Sequence, residues 1–213
     1  MPFYLFCFAA LAHTSMLALS LARPAGLAEW VLRLLFVGLI TDNLTLAFSS
    51  VGLGSDWYEL ANVARYAAHA VFLPLLMLAG VDIAERARCS WANRRETWTI
   101  AVVLALTGIA YGLMTEVIGI NFVIAEFAGH ERLVSAAHLP PFATITSNLL
   151  LLATGAAIWH RADWPWLFFA TLVVFLVNGA TAGKSWGIVA GNSAEIIFVL
   201  GWIVTLRHFP VED

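Results

Sequence analysis

Charge is scarce in this chain: of 213 residues only 12% are Asp, Glu, Lys or Arg, whereas 61% are hydrophobic and the mean hydropathy is +0.84. Soluble globular domains carry about a quarter charged residues, so that class is excluded and an integral membrane protein is expected. The net charge is −3 and no basic cluster occurs, which leaves no footprint for a nucleic-acid partner. Cysteine is nearly absent too. Cys7 lies in the first apolar segment and Cys89 in a basic loop assigned to the opposite side of the bilayer, so no disulfide framework is expected.

Several motifs are also missing. No HxxxH, HExxH or CxxC spacing points to a metal. No GxSxG marks a nucleophile, and Ser185 in "AGKSWG" reads as a turn residue. There is no internal repeat of the kind that builds many transporters, and no low-complexity segment. "NLT" at Asn43 matches a glycosylation triplet but falls inside an apolar span, so it is read as chance.

What is present is a series of apolar runs. Crossing hydrocarbon about 30 Å thick takes about 20 residues. Runs near 3–21, 29–50, 58–82, 98–117, 140–159, 164–183 and 187–207 meet that length, giving an expected all-α bundle of seven transmembrane helices in a single domain. The boundary between the last two is the least distinct, because "NGATAGKSWGIVAGNS" is rich in small and polar residues. The first run lacks a basic n-region and is long enough to span, which favours a retained helix over a signal peptide. Nine Trp suit a chain with two membrane interfaces.

With the N-terminus outside and the C-terminus cytoplasmic, the cytoplasmic side holds Arg23, the group Arg86, Arg88, Arg94 and Arg95, then Arg161 and Arg207, while Arg132 and Lys184 remain outside. That asymmetry follows the positive-inside rule and places the chain in a plasma or inner membrane. The loop "SSVGLGSDWYEL" adds Asp56 and Glu59 to the outer side. The longest outer connection, 118–137, mixes apolar residues with Glu126, His130, Glu131 and Arg132, and is expected to lie along the surface as an amphipathic helix, a candidate lid.

The polar residues inside the spans are not scattered. Residues spaced i, i+4, i+7, i+11 share one helix face. That spacing aligns Gly38, Asp42, Thr45 and Ser49 on the second helix, and Tyr58, Asn62, Arg65 and His69 on the third. A charge turned toward lipid costs about 2.5–3.5 kcal/mol on insertion scales, so both faces should look inward. At a rise of about 1.5 Å per residue, Arg65 lies roughly 10 Å below the outer boundary, Asp42 and Glu195 roughly 12 Å, and His69 roughly 16 Å. Asn148, Asn178 and Asn192 fall at about 10, 8 and 7 Å on three further helices. The stretches "AVFLPLLMLAGV" and "IIFVLGWIV" deeper in the third and seventh helices are almost free of polar groups. A polar pocket open to the outside and closed below is expected.

Within it Asp42 and Arg65 have opposite charge and matched depth, as an ion pair would require. His69 has an unperturbed pKa near physiological pH and is the candidate proton-transfer residue. Glu195 has no obvious partner in its own helix, where Asn192 lies one turn earlier and the nearest cation in sequence is Lys184 at the outer boundary, and it suits proton exchange. Asn43, Asn62, Tyr66, Asn148, Asn178 and Asn192 complete the candidate ligand-binding set, with Asn43 turned about 100° from Asp42 and able to reach a neighbouring helix. His13 lies at similar depth to His69, so a two-histidine haem or metal site is conceivable, although no spacing supports one and no cofactor is specified. The seven-helix, N-outside layout resembles that of retinal proteins, which implies a Schiff-base lysine near the middle of the last helix. Lys184 sits before that helix and Glu195 occupies its centre, which argues against covalent retinal.

Three functional classes fit these observations. One is a membrane-embedded enzyme performing acid–base chemistry on a lipid or other amphiphile, in which Arg65 binds negative charge, His69 and Glu195 move protons and Asp42 orients Arg65. A noncatalytic binding protein, receptor or transporter for a small amphipathic ligand is the second. The third is an accessory subunit held among partner membrane subunits.

Overall fold

The computed structural model describes residues 2–127, 129–137 and 141–211, without the side chains of Pro2 and Phe127. Its helices are α1 (Pro2–Leu21), α2 (Leu27–Ala47), the single turn α3 (Ser49–Gly52), α4 (Asp56–Arg86), α5 (Arg95–Gly112, continued by a π-helical turn Leu113–Val117), α6 (Phe142–Ala162), α7 (Trp166–Thr181) and α8 (Gly187–His208). Among the described residues six helices are long and apolar enough to cross a membrane, which makes this a helical multi-pass membrane protein. α7 is apolar but only 16 residues long.

Composition dictates this choice of structure, since in lipid every backbone group must be bonded within the segment and a helix satisfies them all. The hydroxyls follow the same rule. Thr14, Thr41, Thr45, Ser147, Thr171, Ser193 and Thr205 each donate to the carbonyl four residues earlier, so few side-chain protons are left facing hydrocarbon.

Successive packing of α1 on α2, α2 on α4, α4 on α6, α6 on α7 and α7 on α8, with α8 returning to α1, closes a ring of six helices. α5 stands outside it, against α4 and the edge of α6. The ring's core includes Phe36, Leu76, Ile83, Leu151, Leu167 and the fully buried Trp202. Without a strong hydrophobic drive between helices in lipid, such packing and interhelical hydrogen bonds hold the bundle together.

One end is fastened by Arg86, which grips the Glu29 carboxylate with both Nη atoms at 2.6 and 2.8 Å and Asp82 at 2.5 Å. Asp82 in turn accepts from the Ala28 N–H and Glu29 from the Gly26 N–H, so one guanidinium joins the start of α2 to the end of α4. At that same end Trp164 stacks on His208 at 3.8 Å and donates to Thr205, tying the α6–α7 connection to α8.

The other end carries a structure the sequence reading did not anticipate. The 118–137 connection, expected as an amphipathic helix, contains an antiparallel hairpin, β1 (Phe122–Phe127) paired with β2 (His130–Ser135), in the register Phe122↔Ser135 through Phe127↔His130. Gly129, at φ 81°, stands just before β2 in a conformation that few other residues adopt. Val123, Ile124 and Val134 supply the β-branched side chains that favour the pleat. Tyr66 of α4 accepts the Ser135 N–H at 3.0 Å and packs on Phe122, so the hairpin is fixed over the end of α2–α4 that holds Asp42 and Arg65.

Candidate functional site

The two stripes meet where α2 and α4 cross. Asp42, Thr45, Ser49, Tyr58, Asn62 and Arg65 are all buried. Arg65 Nε donates to Asp42 Oδ1 at 2.5 Å, and Arg65 Nη1 donates to Asn62 Oδ1 at 2.9 Å. From α8, Asn192 Nδ2 donates to Asp42 Oδ2 at 2.8 Å and to Asn43 Oδ1 at 3.2 Å. Both Asp42 oxygens are therefore occupied. The pair is a three-helix tie, and the Arg65 guanidinium, committed to Asp42 and Asn62, does not line the adjoining cavity.

That cavity, about 210 Å³, lies inside the ring between α2, α4, α6, α7 and α8. Its polar lining is His69, Thr144, Ser147, Asn148, Asn178 and Glu195, drawn from four helices. Leu39, Leu73, Leu76, Leu151, Val174 and Phe198 supply most of its apolar wall. Four of the candidate residues, His69, Asn148, Asn178 and Glu195, thus converge on one space. Asp42, Arg65, Asn43, Asn62 and Asn192 form the neighbouring network instead, and Tyr66 is engaged with the hairpin.

The hydrogen bonds fix several chemical roles. His69 Nδ1 lies 3.0 Å from the Arg65 carbonyl oxygen, and a carbonyl only accepts, so Nδ1 carries the proton in this contact. Nε2 is left free of the helix, and in the neutral tautomer it is an acceptor. Asn148 spends an amide proton on the Thr144 carbonyl at 3.0 Å, as Asn43 does on Leu39 and Asn62 on Tyr58. Glu195 Oε2 is buried without a hydrogen-bond partner in the described residues. Gly191 lets α8 approach Asn178, whose Oδ1 would stand 2.5 Å from a Cβ there.

Three further polar residues went unassigned in the sequence reading or were placed elsewhere. Arg33 is buried and caps the end of α1 through the Ser20 and Arg23 carbonyls at 2.6 and 2.9 Å. His13 is fully buried beside Phe36 with neither ring nitrogen hydrogen-bonded in the described residues. It does not line the cavity with His69, and no group of three or more His, Cys, Asp or Glu able to hold a metal occurs among the described residues. Arg132 of β2 descends from the hairpin toward the network; burial, and then the Arg65 cation, hold it below the ordinary arginine range. With His130, Ser49 and Phe6 it lines a small recess under the hairpin. A half-buried arginine in an outer loop is signalled only by the apolar residues around it, since its contacts are remote in sequence.

The chain matches no protein-family model and no curated protein sequence.

Proposed function

We propose that this protein is a membrane-embedded acid–base catalyst acting on a lipid or other amphiphile, whose polar end enters the cavity between α2, α4, α6, α7 and α8. One observation carries the reading: two side chains able to exchange protons, His69 and Glu195, line the same cavity, with a mostly apolar wall suited to a hydrocarbon body. His69, anchored through Nδ1, presents Nε2 as base. Glu195 is the second proton carrier. Asp42 and Arg65 position α4, and with it His69, rather than touching substrate. In this reading all seven long helices span, α7 among them, the N-terminus and hairpin face outside, and the Arg86 end is cytoplasmic, as the distribution of arginines favours.

Noncatalytic capture of the same ligand is the second reading, favoured by the complete engagement of Asp42, which leaves no third ionisable group beside His69 and Glu195 on the cavity wall among the described residues. The test is purification in mild detergent, identification of any retained small molecule by mass spectrometry, and incubation with it while products are followed. Turnover lost in His69→Ala and Glu195→Gln supports catalysis. Binding without turnover leaves the second reading, and folded variants with unchanged ligand retention and activity sink both.

A further inference from the structure

We propose that the ligand of this cavity carries a protonated amine on an apolar body; this rests on the cavity being the ligand site, as argued above. The lining is rich in acceptors because the protein spends its donors on its own helices. Ser147 gives its hydroxyl proton to the Ala143 carbonyl at 2.8 Å, so its Oγ can only accept. Asn148 commits one of its two amide protons to Thr144, and its Oδ1 remains an acceptor beside the second N–H. His69 commits Nδ1 to the Arg65 carbonyl and keeps Nε2 as acceptor. Among the described residues, Asn43 and Asn62 share the Asn148 pattern, but their oxygens are filled by Asn192 and Arg65, whereas Asn148 Oδ1 receives no protein donor. Thr144 and Asn178 can serve either way.

Charge points the same way. Glu195 contributes a carboxyl to the lining and no described Lys or Arg does. The charges within electrostatic reach of Glu195 are Asp42 and Arg65, which oppose each other and are already paired. A buried carboxylate without a counter-ion is costly, and a cationic ligand supplies both the missing charge and up to three N–H donors for the acceptors around it. An anionic head group would face the Glu195 carboxyl with no cation in the described lining to offset it, and a neutral alcohol would satisfy one acceptor without supplying charge.

Three probes of matched size separate these cases: cyclohexylmethylamine, cyclohexylmethanol and cyclohexanecarboxylate, titrated calorimetrically into the detergent-purified full chain at neutral pH, against detergent micelles alone. The amine is expected to bind at least about tenfold more tightly than the alcohol, with no carboxylate binding. Glu195→Gln should bring the amine down to the level of the alcohol. Asn148→Leu, which keeps the side-chain volume, should weaken the amine several-fold and guards against a Glu195 variant that does not fold. Equal or tighter binding of the alcohol, or amine binding unchanged in both variants, overturns amine selection while leaving the cavity as a ligand site. Failure of all three probes, together with no retained molecule in the purified protein, overturns the site itself.

Discussion

Arg65 and Asp42 are joined through Nε and Oδ1 at 2.5 Å, with the second Asp42 oxygen held by Asn192, so a charge pair 23 residues apart in sequence locks α2, α4 and α8 at one depth. Removing one partner strands the other in a site closed to water. Asp42→Leu or Arg65→Met alone is expected to destabilise the protein by about 3–5 kcal/mol, whereas the double substitution should recover much of that loss. Thermal unfolding in detergent checks this, and additive losses in the double variant would show that the two residues do not act as a pair.

Gly191→Ala places a methyl against Asn178 Oδ1. The amide is the end of a flexible side chain and can swing aside, so stability should change by less than about 1 kcal/mol. Ligand affinity should fall about fivefold, the worth of one hydrogen bond. Unchanged affinity for the retained molecule would mean that Asn178 does not contact it.

Tyr66→Phe deletes the acceptor for the Ser135 N–H and leaves the ring on Phe122. Hydrogen exchange across 130–135 should accelerate, while the unfolding midpoint of the bundle stays within about 1 kcal/mol of the parent. Equal exchange in both proteins would show the hairpin to be held by other contacts.

Burial pushes the Cys89 thiol above its ordinary range, against a smaller pull from the Arg161 cation. The thiolate is the reactive form, so at pH 8 Cys89 should alkylate far more slowly than a free cysteine, with the rate still climbing at higher pH. Denaturation should abolish the difference. A rate already at its plateau at pH 8 in the folded protein contradicts the placement.

Lys184 is the only lysine in the sequence and is exposed between α7 and α8. In intact cells, an amine reagent that does not cross membranes should modify the Lys184 peptide if the hairpin end faces outward. Modification only after lysis would invert the proposed topology.

Much of the bundle was legible because two periodicities speak for themselves: runs of about 20 apolar residues, and polar residues at helical spacing within them. Depth arithmetic brought Asp42 to Arg65 and Glu195 to the vicinity of His69, since helices crossing the same slab share a ruler. The arithmetic could not say which polar groups would consume one another. Arg65 was expected to meet negative charge on a ligand, and the structure commits it to Asp42 and Asn62. Neither the hairpin nor the partial burial of Arg132 follows from local pattern: Phe122–Phe127 shows no clean alternation, although its β-branched residues and Gly129 are the signal that could have separated strand from helix. Arg33 sits on the buried face of α2 and is explained only by the α1 carbonyls it caps, a contact set by how the chain turns at Arg23.

α7 is the shortest wall of the ring. Its 16 residues reach about 24 Å, against a hydrocarbon layer of about 30 Å. In the proposed topology α7 spans, so lipids beside it thin, or dip their head groups, by several ångströms. Asn178, exposed near the end of that helix, also lines the cavity. On the proposed reading, the bilayer is most easily deformed beside an exposed residue of the cavity, and an amphiphilic ligand in the leaflet has its shallowest doorway there.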